Sequence, residues 1–324
     1  MAEFVVEFLT NYDEFEPLYD DFKIRAVSDY KFELEPLPYE DFVEAVEKEL
    51  IKCLVLKEDG FPTAFLVYTT AISEAIELNI VHSLNLENLA KRSNYLLKRF
   101  LEETENLRKE KVVCYPMLGQ QKLLIGETAY LGFKFIGIAV LRFMMRGTNS
   151  VEILKMSQFK DFPSCYKTVS WDDKYFDDAV NVVNEAFETS ADALFDPRFK
   201  TIEGTKDILN KITQNIYAEF LPEATTVLLC NNNPVGFCFM NLTGGEIGNI
   251  PIVALKKEHQ GHGLSKYMLK SSMENVIKLA RDTHRDIKEV NTCTETNNFQ
   301  ALKLYRNVGF KEDYSYPQSY LSAS

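Results

Sequence analysis

Apolar positions along the chain fall into two rhythms. Over residues 13–31, Phe15, Leu18, Tyr19 and Phe22 recur at helical spacing, and residues 39–49 continue in a second helical pattern. Residues 54–57 and 64–69 are short apolar runs around Glu58-Asp59-Gly60-Phe61-Pro62, a turn signal between strands, and 75–82 predicts a third strand. A long helical pattern over 89–109, with Leu89, Leu96, Leu97, Phe100, Leu101 and Leu107, leads to a strand at 111–115. An apolar stretch to Tyr130, then Gly132-Phe133-Lys134 and a last strand complete this half. After a polar stretch the order returns. Helical patterns at 172–189 and 206–220 flank a polar loop, 190–204, and a hairpin of 226–230 and 235–241 turns at Asn231-Asn232-Asn233-Pro234. An apolar run, 250–255, is expected as the central strand; a helix from Tyr267, a strand at 290–295 and Gly309-Phe310-Lys311 follow. Such alternation predicts the α/β class, and the repeated order predicts an internal duplication. The expected division is a first domain over 1–146, a linker over 147–164 and a second domain over 165–324.

Composition narrows the function classes. With 324 residues, 46% of them hydrophobic, the chain is long enough for two ordinary cores. A net charge of −12 argues against general binding to nucleic acid or anionic membrane, both of which want basic patches, and is compatible with cationic acceptors such as amines. The six cysteines, Cys53, Cys114, Cys165, Cys230, Cys238 and Cys293, lack C-x-x-C spacing and suggest neither a disulfide framework nor a zinc site. The acidic start, MAEFVVEFLTNYDEFEP, lacks the basic and apolar regions of a signal peptide, and no apolar segment reaches the roughly 20 residues that span a bilayer, so cytoplasmic residence is expected.

The candidate chemistry sits at Gln260-Gly261-His262-Gly263-Leu264-Ser265, between the 250–255 run and the helix. Strand, tight loop and helix start make an anion site: the first helical N–H groups have no internal partner, and glycines let a phosphate approach the backbone. The triphosphate and dinucleotide glycine fingerprints are both absent. The loop does fit Gln/Arg-x-x-Gly-x-small, as Gln260, Gly263 and Ser265. About 35 residues on, Asn298, Ala301, Tyr305, Gly309 and Phe310 fit Asn-x-x-Ala-x-x-x-Tyr-x-x-x-Gly-Phe. In physical terms Asn298 caps a helix, Ala301 and Tyr305 share one of its faces, and Gly309 ends it.

These two motifs, in this order, resemble the GCN5-related N-acetyltransferase (GNAT) superfamily over residues 165–316. The resemblance implies tandem α/β (α+β) folds, each a mixed central sheet flanked by helices. It implies acetyl-CoA as cofactor, its pyrophosphate held by Gln260, Gly261, His262, Gly263, Leu264 and Ser265, with Asn298 close by. Backbone groups of Val253, Ala254 and Leu255 are expected to pair with the pantetheine arm, and Tyr305 to protonate the departing thiolate. Ser265 departs from the usual glycine or alanine but is small enough to keep the site.

An aliphatic amine with a pKa of about 10 is only about one part in a thousand neutral at pH 7, so a base is needed; Glu246 is the candidate. By the same resemblance Asp192, Phe195, Asp196 and Arg198 lie over the acceptor. The expected activity is transfer of acetyl from acetyl-CoA to a primary amine, most simply a small molecule, by a monomer or homodimer. The alternatives are a longer acyl-CoA, a protein N-terminus as acceptor, or a coenzyme A-binding regulatory module without turnover. In the first half the loop position reads Ser83-Leu84-Asn85-Leu86-Glu87-Asn88-Leu89. It has no glycine, and Glu87 would repel phosphate, so this half reads as a degenerate copy without a cofactor site. His82 and Tyr115 are expected to be structural, and Lys91, Arg92 and 109–111 to form solvated helix faces.

Overall fold

A computed structural model describes residues 3–32, 35–72, 74–145 and 163–323. Most of the expected linker, 147–162, lies outside the described residues. The chain forms two compact units, Met1–Gly137 with Leu194–Asp196 and Tyr316–Ser324, and Ile138–Ala193 with Pro197–Ser315. The units therefore differ from a single cut near 146, since 138–144 counts with the second and 316–324 with the first.

The first unit runs β1 (Phe4–Phe8), α1 (Tyr12–Ala26), α2 (Tyr39–Glu47), β2 (Lys52–Glu58), β3 (Phe61–Thr69), β4 (Ala75–Ser83), α3 (Leu89–Glu103), β5 (Val112–Pro116), α4 (Ile125–Tyr130) and the start of β6 (Lys134–Met144). Its sheet has the order β1-β2-β3-β4-β5 with residues 318–321 antiparallel to β5. Side chains alternate along β3: Phe65 and Val67 pack with Phe15, Tyr19 and Phe22 of α1, while Leu66 and Tyr68 pack with Leu96, Leu97 and Phe100 of α3. Both faces are covered, which is why these strands read as apolar runs without strict polar alternation.

The second unit holds most of β6, then β7 (Tyr166–Ser170), α5 (Phe176–Phe187), α6 (Ile202–Thr213), β8 (Glu219–Phe220), β9 (Thr226–Cys230), β10 (Asn233–Cys238), β11 (Asn241–Thr243), β12 (Ile247–Asn249), β13 (Val253–Leu255), α7 (Leu264–Thr283), β14 (Glu289–Glu295), α8 (Phe299–Val308) and the start of β15 (Lys311–Leu321). Its strands divide between an arm ordered β6-β14-β12-β11-β8 and a four-stranded sheet ordered β13-β10-β9-β7. Val227, Phe237, Phe239 and Ala254 face α5 and α6; Leu228, Cys238, Met240 and Leu255 face α7 and α8.

The expected continuous strand over 250–255 is corrected: the run divides at Pro251. Ile250 donates its N–H to Asn291 of β14 at 3.0 Å, whereas Ile252 accepts from Phe239 on the other side at 2.9 Å. Asn241 pairs with Asn249 and Cys238 with Val253, so between these pairs two residues on one strand oppose three on the other. One extra residue in a ladder is a β-bulge, and it reverses the side on which alternate backbone groups point. Beyond the Asn249–Asn291 pair, β13 and β14 part.

The same device stands in the first unit. The β3–β4 register slips by one residue between the Tyr68–Leu78 and Val67–Ile80 pairs, and β4 parts from β5 after Glu77–Cys114. A shared bulge at the same place after the last parallel pair carries the duplication further than sequence identity does.

Other boundaries moved for local reasons. The helix expected at 206–220 is α6 at 202–213: Thr201 caps it by accepting from Gly204 N–H at 3.0 Å, and Asn215 at φ +61° follows its end. The pattern over 89–109 ends as an α-helix at Glu103, and the loop at 190–204 contains short helical turns at Asp192–Phe195 and Pro197–Lys200. Arg92 is not solvated. It is 4% exposed, donating to Glu58 Oε1 at 3.2 Å and to Ser83 Oγ at 3.0 Å, because a helix side chain beside a strand end finds a carboxylate there.

Candidate active site

Where β13 and β14 part, the second unit has a cavity of about 580 Å³. One edge is the backbone of β13. Lys256 N–H bonds Val235 O and Phe239 N–H bonds Ile252 O, so the even-numbered residues turn their polar groups to β10. Val253 and Leu255 turn theirs the other way, into the cleft, and both line it. Ala254 is buried with its polar groups on the β10 side.

The loop leaves β13 with Gln260, whose Nε2 donates to Leu255 O at 3.0 Å. Gly261 (φ +80°) and Gly263 (φ +81°) then take left-handed conformations that other residues adopt at a cost of roughly 1–2 kcal/mol. A Cβ on Gly261 would meet nothing within 4 Å, so that backbone is open to a ligand. Gly263 is the N-cap of the 20-residue α7 and supplies no side-chain cap. The first intrahelical bond is Tyr267 N–H to Gly263 O at 3.2 Å, which leaves Leu264 and Ser265 N–H groups without an acceptor inside the helix.

Gln260, Gly261 and Ser265 line the cavity. The side chains of His262, on the exposed side of the turn, and of Leu264, in the core, form no part of the cavity wall, nor does Gly263; what Leu264 presents at the helix start is its backbone N–H. His259 is held by Tyr166, whose hydroxyl lies 2.8 Å from its Nδ1.

The opposite wall comes from α8. Asn298 accepts from Ala301 N–H at 3.1 Å, Gly309 closes the helix at φ +107°, and Phe310 N–H returns to Tyr305 O at 3.1 Å. This end geometry aims Ala301, Leu304 and Tyr305 into the cleft together with Asn298. Tyr305 is buried, with the Thr292 hydroxyl donating to it at 3.3 Å; burial holds the phenol well above its usual pKa, against a lowering by that bond. The phenol therefore stays protonated and is a donor.

Glu246 does not reach this place. It is exposed before β12 and ion-paired with Lys288, at the end of the β12–β14 pair away from the cleft. Of the expected acceptor residues, Asp192 lines the cavity, while Arg198 is buried in an ion pair with Asp207 at 2.9 Å. Sequence reasoning passed over Glu295, at the end of β14, which is buried and lines the same cavity. Its place three residues before the capping asparagine was the available signal.

In the first unit the equivalent cleft is bridged by the protein itself. Gln121 Oε1 accepts from Val81 N–H at 3.0 Å, and its Nε2 donates to Val81 O at 2.9 Å. Val81 is four residues past the last parallel residue of β4, as Val253 is of its strand. Gln121 and Asn298 each stand eleven residues before the glycine of their Gly-Phe-Lys. Glu87 is exposed. His82 is fully buried, its Nδ1 2.8 Å from Tyr30 Oη, and burial first and Arg25 second bring its pKa down to about 3.

Residues 222–312 match the family model described as an acetyltransferase (GNAT) domain. No curated protein sequence matches the chain. Among solved structures, a GCN5-related N-acetyltransferase from Sphaerobacter thermophilus is similar with a TM-score of 0.65 at 14% identity, covering 98% of this chain and 95% of that one. A tandem GNAT protein from the clavulanic acid biosynthesis pathway gives 0.62 at 13% identity, covering 99% of each. A glucosamine N-acetyltransferase region in a fungal multi-domain β-N-acetylglucosaminidase gives 0.65 at 11%, covering 99% of this chain and 38% of that one. At such identities the likeness speaks for the fold. Residues 222–312 thus fit the GNAT acetyltransferase domain model, and the chain has the fold that these solved structures share.

Proposed function

We propose that the second unit binds acetyl-CoA in the cleft between β13 and β14 and transfers its acetyl group to an amine, and that the first unit is a copy without cofactor. The observation that carries this reading is the cleft itself. It has a strand edge of outward backbone groups on one side, an uncapped helix start at its mouth, and a buried, protonated phenol in its wall.

The residues present fit the group. Val253 offers an N–H and a C=O to the amides of a pantetheine arm, as Val81 offers the same pair to the Gln121 carboxamide. Gly261 and the N–H groups of Leu264 and Ser265 suit a pyrophosphate, with the α7 dipole adding positive potential. Bound there, acetyl-CoA supplies an activated acetyl thioester and a thiolate leaving group. An outward N–H of β13 is positioned to receive developing charge on a carbonyl oxygen, and Tyr305 hydrogen-bonds the departing sulfur. Holding both reactants in one cleft is itself worth several kcal/mol.

Release of free thiol from acetyl-CoA across a panel of primary amines tests this, alongside calorimetric binding. The expected result is binding to the parent, turnover of at least one amine, and loss of binding in Gly263→Glu. Glu246, held by Lys288 outside the cleft, favours a second reading, a coenzyme A-binding module without turnover. Binding with no thiol release over the whole panel selects it.

A further inference from the structure

The described residues lining the cleft include two carboxylates, Asp192 and Glu295, and no lysine or arginine. Glu295 is the unusual one. It is 8% exposed, it lines the cavity, and among the described residues no side chain or backbone N–H bonds its carboxylate. Its oxygens are not among the sealed unpartnered atoms of the described residues, so they open to the cleft, where a carboxylate without a cation of its own favours a cationic ligand. The other carboxylate considered for this chemistry, Glu246, already has its cation in Lys288.

The duplication supplies a control within the chain. Glu295 stands three residues before Asn298; the residue three before Gln121 is Leu118. Tyr305 stands seven residues after Asn298; the residue seven after Gln121 is Thr128, whose hydroxyl is spent on Leu124 O at 2.8 Å. The unit whose cleft is bridged by its own glutamine has neither a carboxyl nor a phenol at these two positions, and its nearby Tyr115 hydroxyl is spent on Gln121 Oε1. The unit with the open cleft has both.

We infer that Glu295 receives the ammonium group of the acceptor and is the base that deprotonates it. The acceptor class is accordingly a cationic primary amine with no anionic group beside the nitrogen. This rests on the acyl-CoA reading of the same cleft. One ammonium proton passes to a Glu295 oxygen, freeing the nitrogen lone pair. The nitrogen then bonds the carbonyl carbon as the C–S bond breaks, the sulfur keeping that electron pair. A second nitrogen proton ends on sulfur, where the Tyr305 hydroxyl donates, and Glu295 returns the first proton to water.

The test uses the full chain with butylamine, ethanolamine and putrescine as cationic probes, and glycine and alanine as acid-bearing ones. Glu295→Gln is expected to bind acetyl-CoA as the parent does, which also reports an intact fold, while kcat/KM for a cationic probe falls about 100-fold near pH 7. Without a base the variant depends on the amine's own ionisation, so the gap should close as pH approaches the amine pKa of about 10. A purely structural role would not produce that convergence. Glu295→Asp should keep the parent's pH profile at a lower rate. Independently of turnover, butylamine affinity for protein saturated with coenzyme A should fall about tenfold in Glu295→Gln. Equal rates and equal amine affinity in parent and Glu295→Gln, or acid-bearing probes used as well as cationic ones, overturn the assignment of Glu295. Failure of the parent to bind acetyl-CoA overturns instead the reading on which it rests.

Discussion

Burial holds the Tyr305 hydroxyl in its protonated form, and the Thr292 bond does not reverse this. A phenol is also a weaker acid than a thiol, roughly 10 against 8.5, so its service to the leaving sulfur is a hydrogen bond strengthened as charge develops. Tyr305→Phe keeps the ring among its core neighbours and removes that donor. Turnover should fall about 100-fold while acetyl-CoA affinity stays within about twofold, measured by thiol release and calorimetry on the same sample. His82 makes a different prediction. Its Nε2 lies 3.0 Å from Asp21 Oδ2 without hydrogen-bond alignment, and its pKa is about 3 in the fold against 6.5 for an exposed imidazole. Below pH 6.5 the unfolded chain takes up a proton that the folded chain refuses. Stability contributed by the neutral imidazole is thus present above pH 6.5 and lost as pH falls towards 3, by on the order of a few kcal/mol. Urea midpoints of the parent should drop over that window more steeply than those of His82→Gln; parallel curves would show that other groups set the acid limit.

At the scale of elements, the two bulges decide what each unit can hold. A strand that pairs on both sides has no backbone groups left for a ligand, whereas an inserted residue before Val81 and before Val253 turns an N–H and a C=O outward. In the first unit those groups are buried and satisfied by Gln121. Gln121→Ala should therefore cost about 1–3 kcal/mol, read from chemical denaturation, because it leaves a donor and an acceptor of Val81 unmatched. In the second unit the glycine turn is the sensitive element. Gly263→Val puts a β-branched residue at φ +81°, which should lower stability by about 1–2 kcal/mol and weaken acetyl-CoA binding well beyond that, since the α7 start moves with it.

For the whole molecule, two units with the same bulge, of which the first has its strand edge bridged by Gln121 and the second has an open cleft, predict one acetyl-CoA per chain. Calorimetric titration should return a stoichiometry of one; a value of two would mean that Gln121 yields its place. Binding at 100 times the dissociation constant should stabilise the unit that binds by about 2.7 kcal/mol. If the units unfold separately, a thermal scan should show one transition move and one stay.

The sequence by itself determined the element order, the duplication, the glycine turn before α7 and the helix from Asn298 to Gly309. These are local: spacing of apolar residues, a capping amide and left-handed glycines act over a few neighbours. It also argued against the first-half loop as a phosphate site, on the lack of glycine and the presence of Glu87. What it left undecided is set by which strand a backbone group faces. The run 250–255 looks like one strand because its residues are apolar throughout, and only pairing with β14 on one side and β10 on the other divides it at Pro251. Glu246 and Glu295 are equivalent as sequence, two carboxylates near strand ends. Tertiary structure gave one a lysine in solvent and the other a buried place in the cleft, and the Gln121 bridge spans forty residues that no local pattern connects. Long-range pairing decides which polar groups are left over, and the leftover groups are the site.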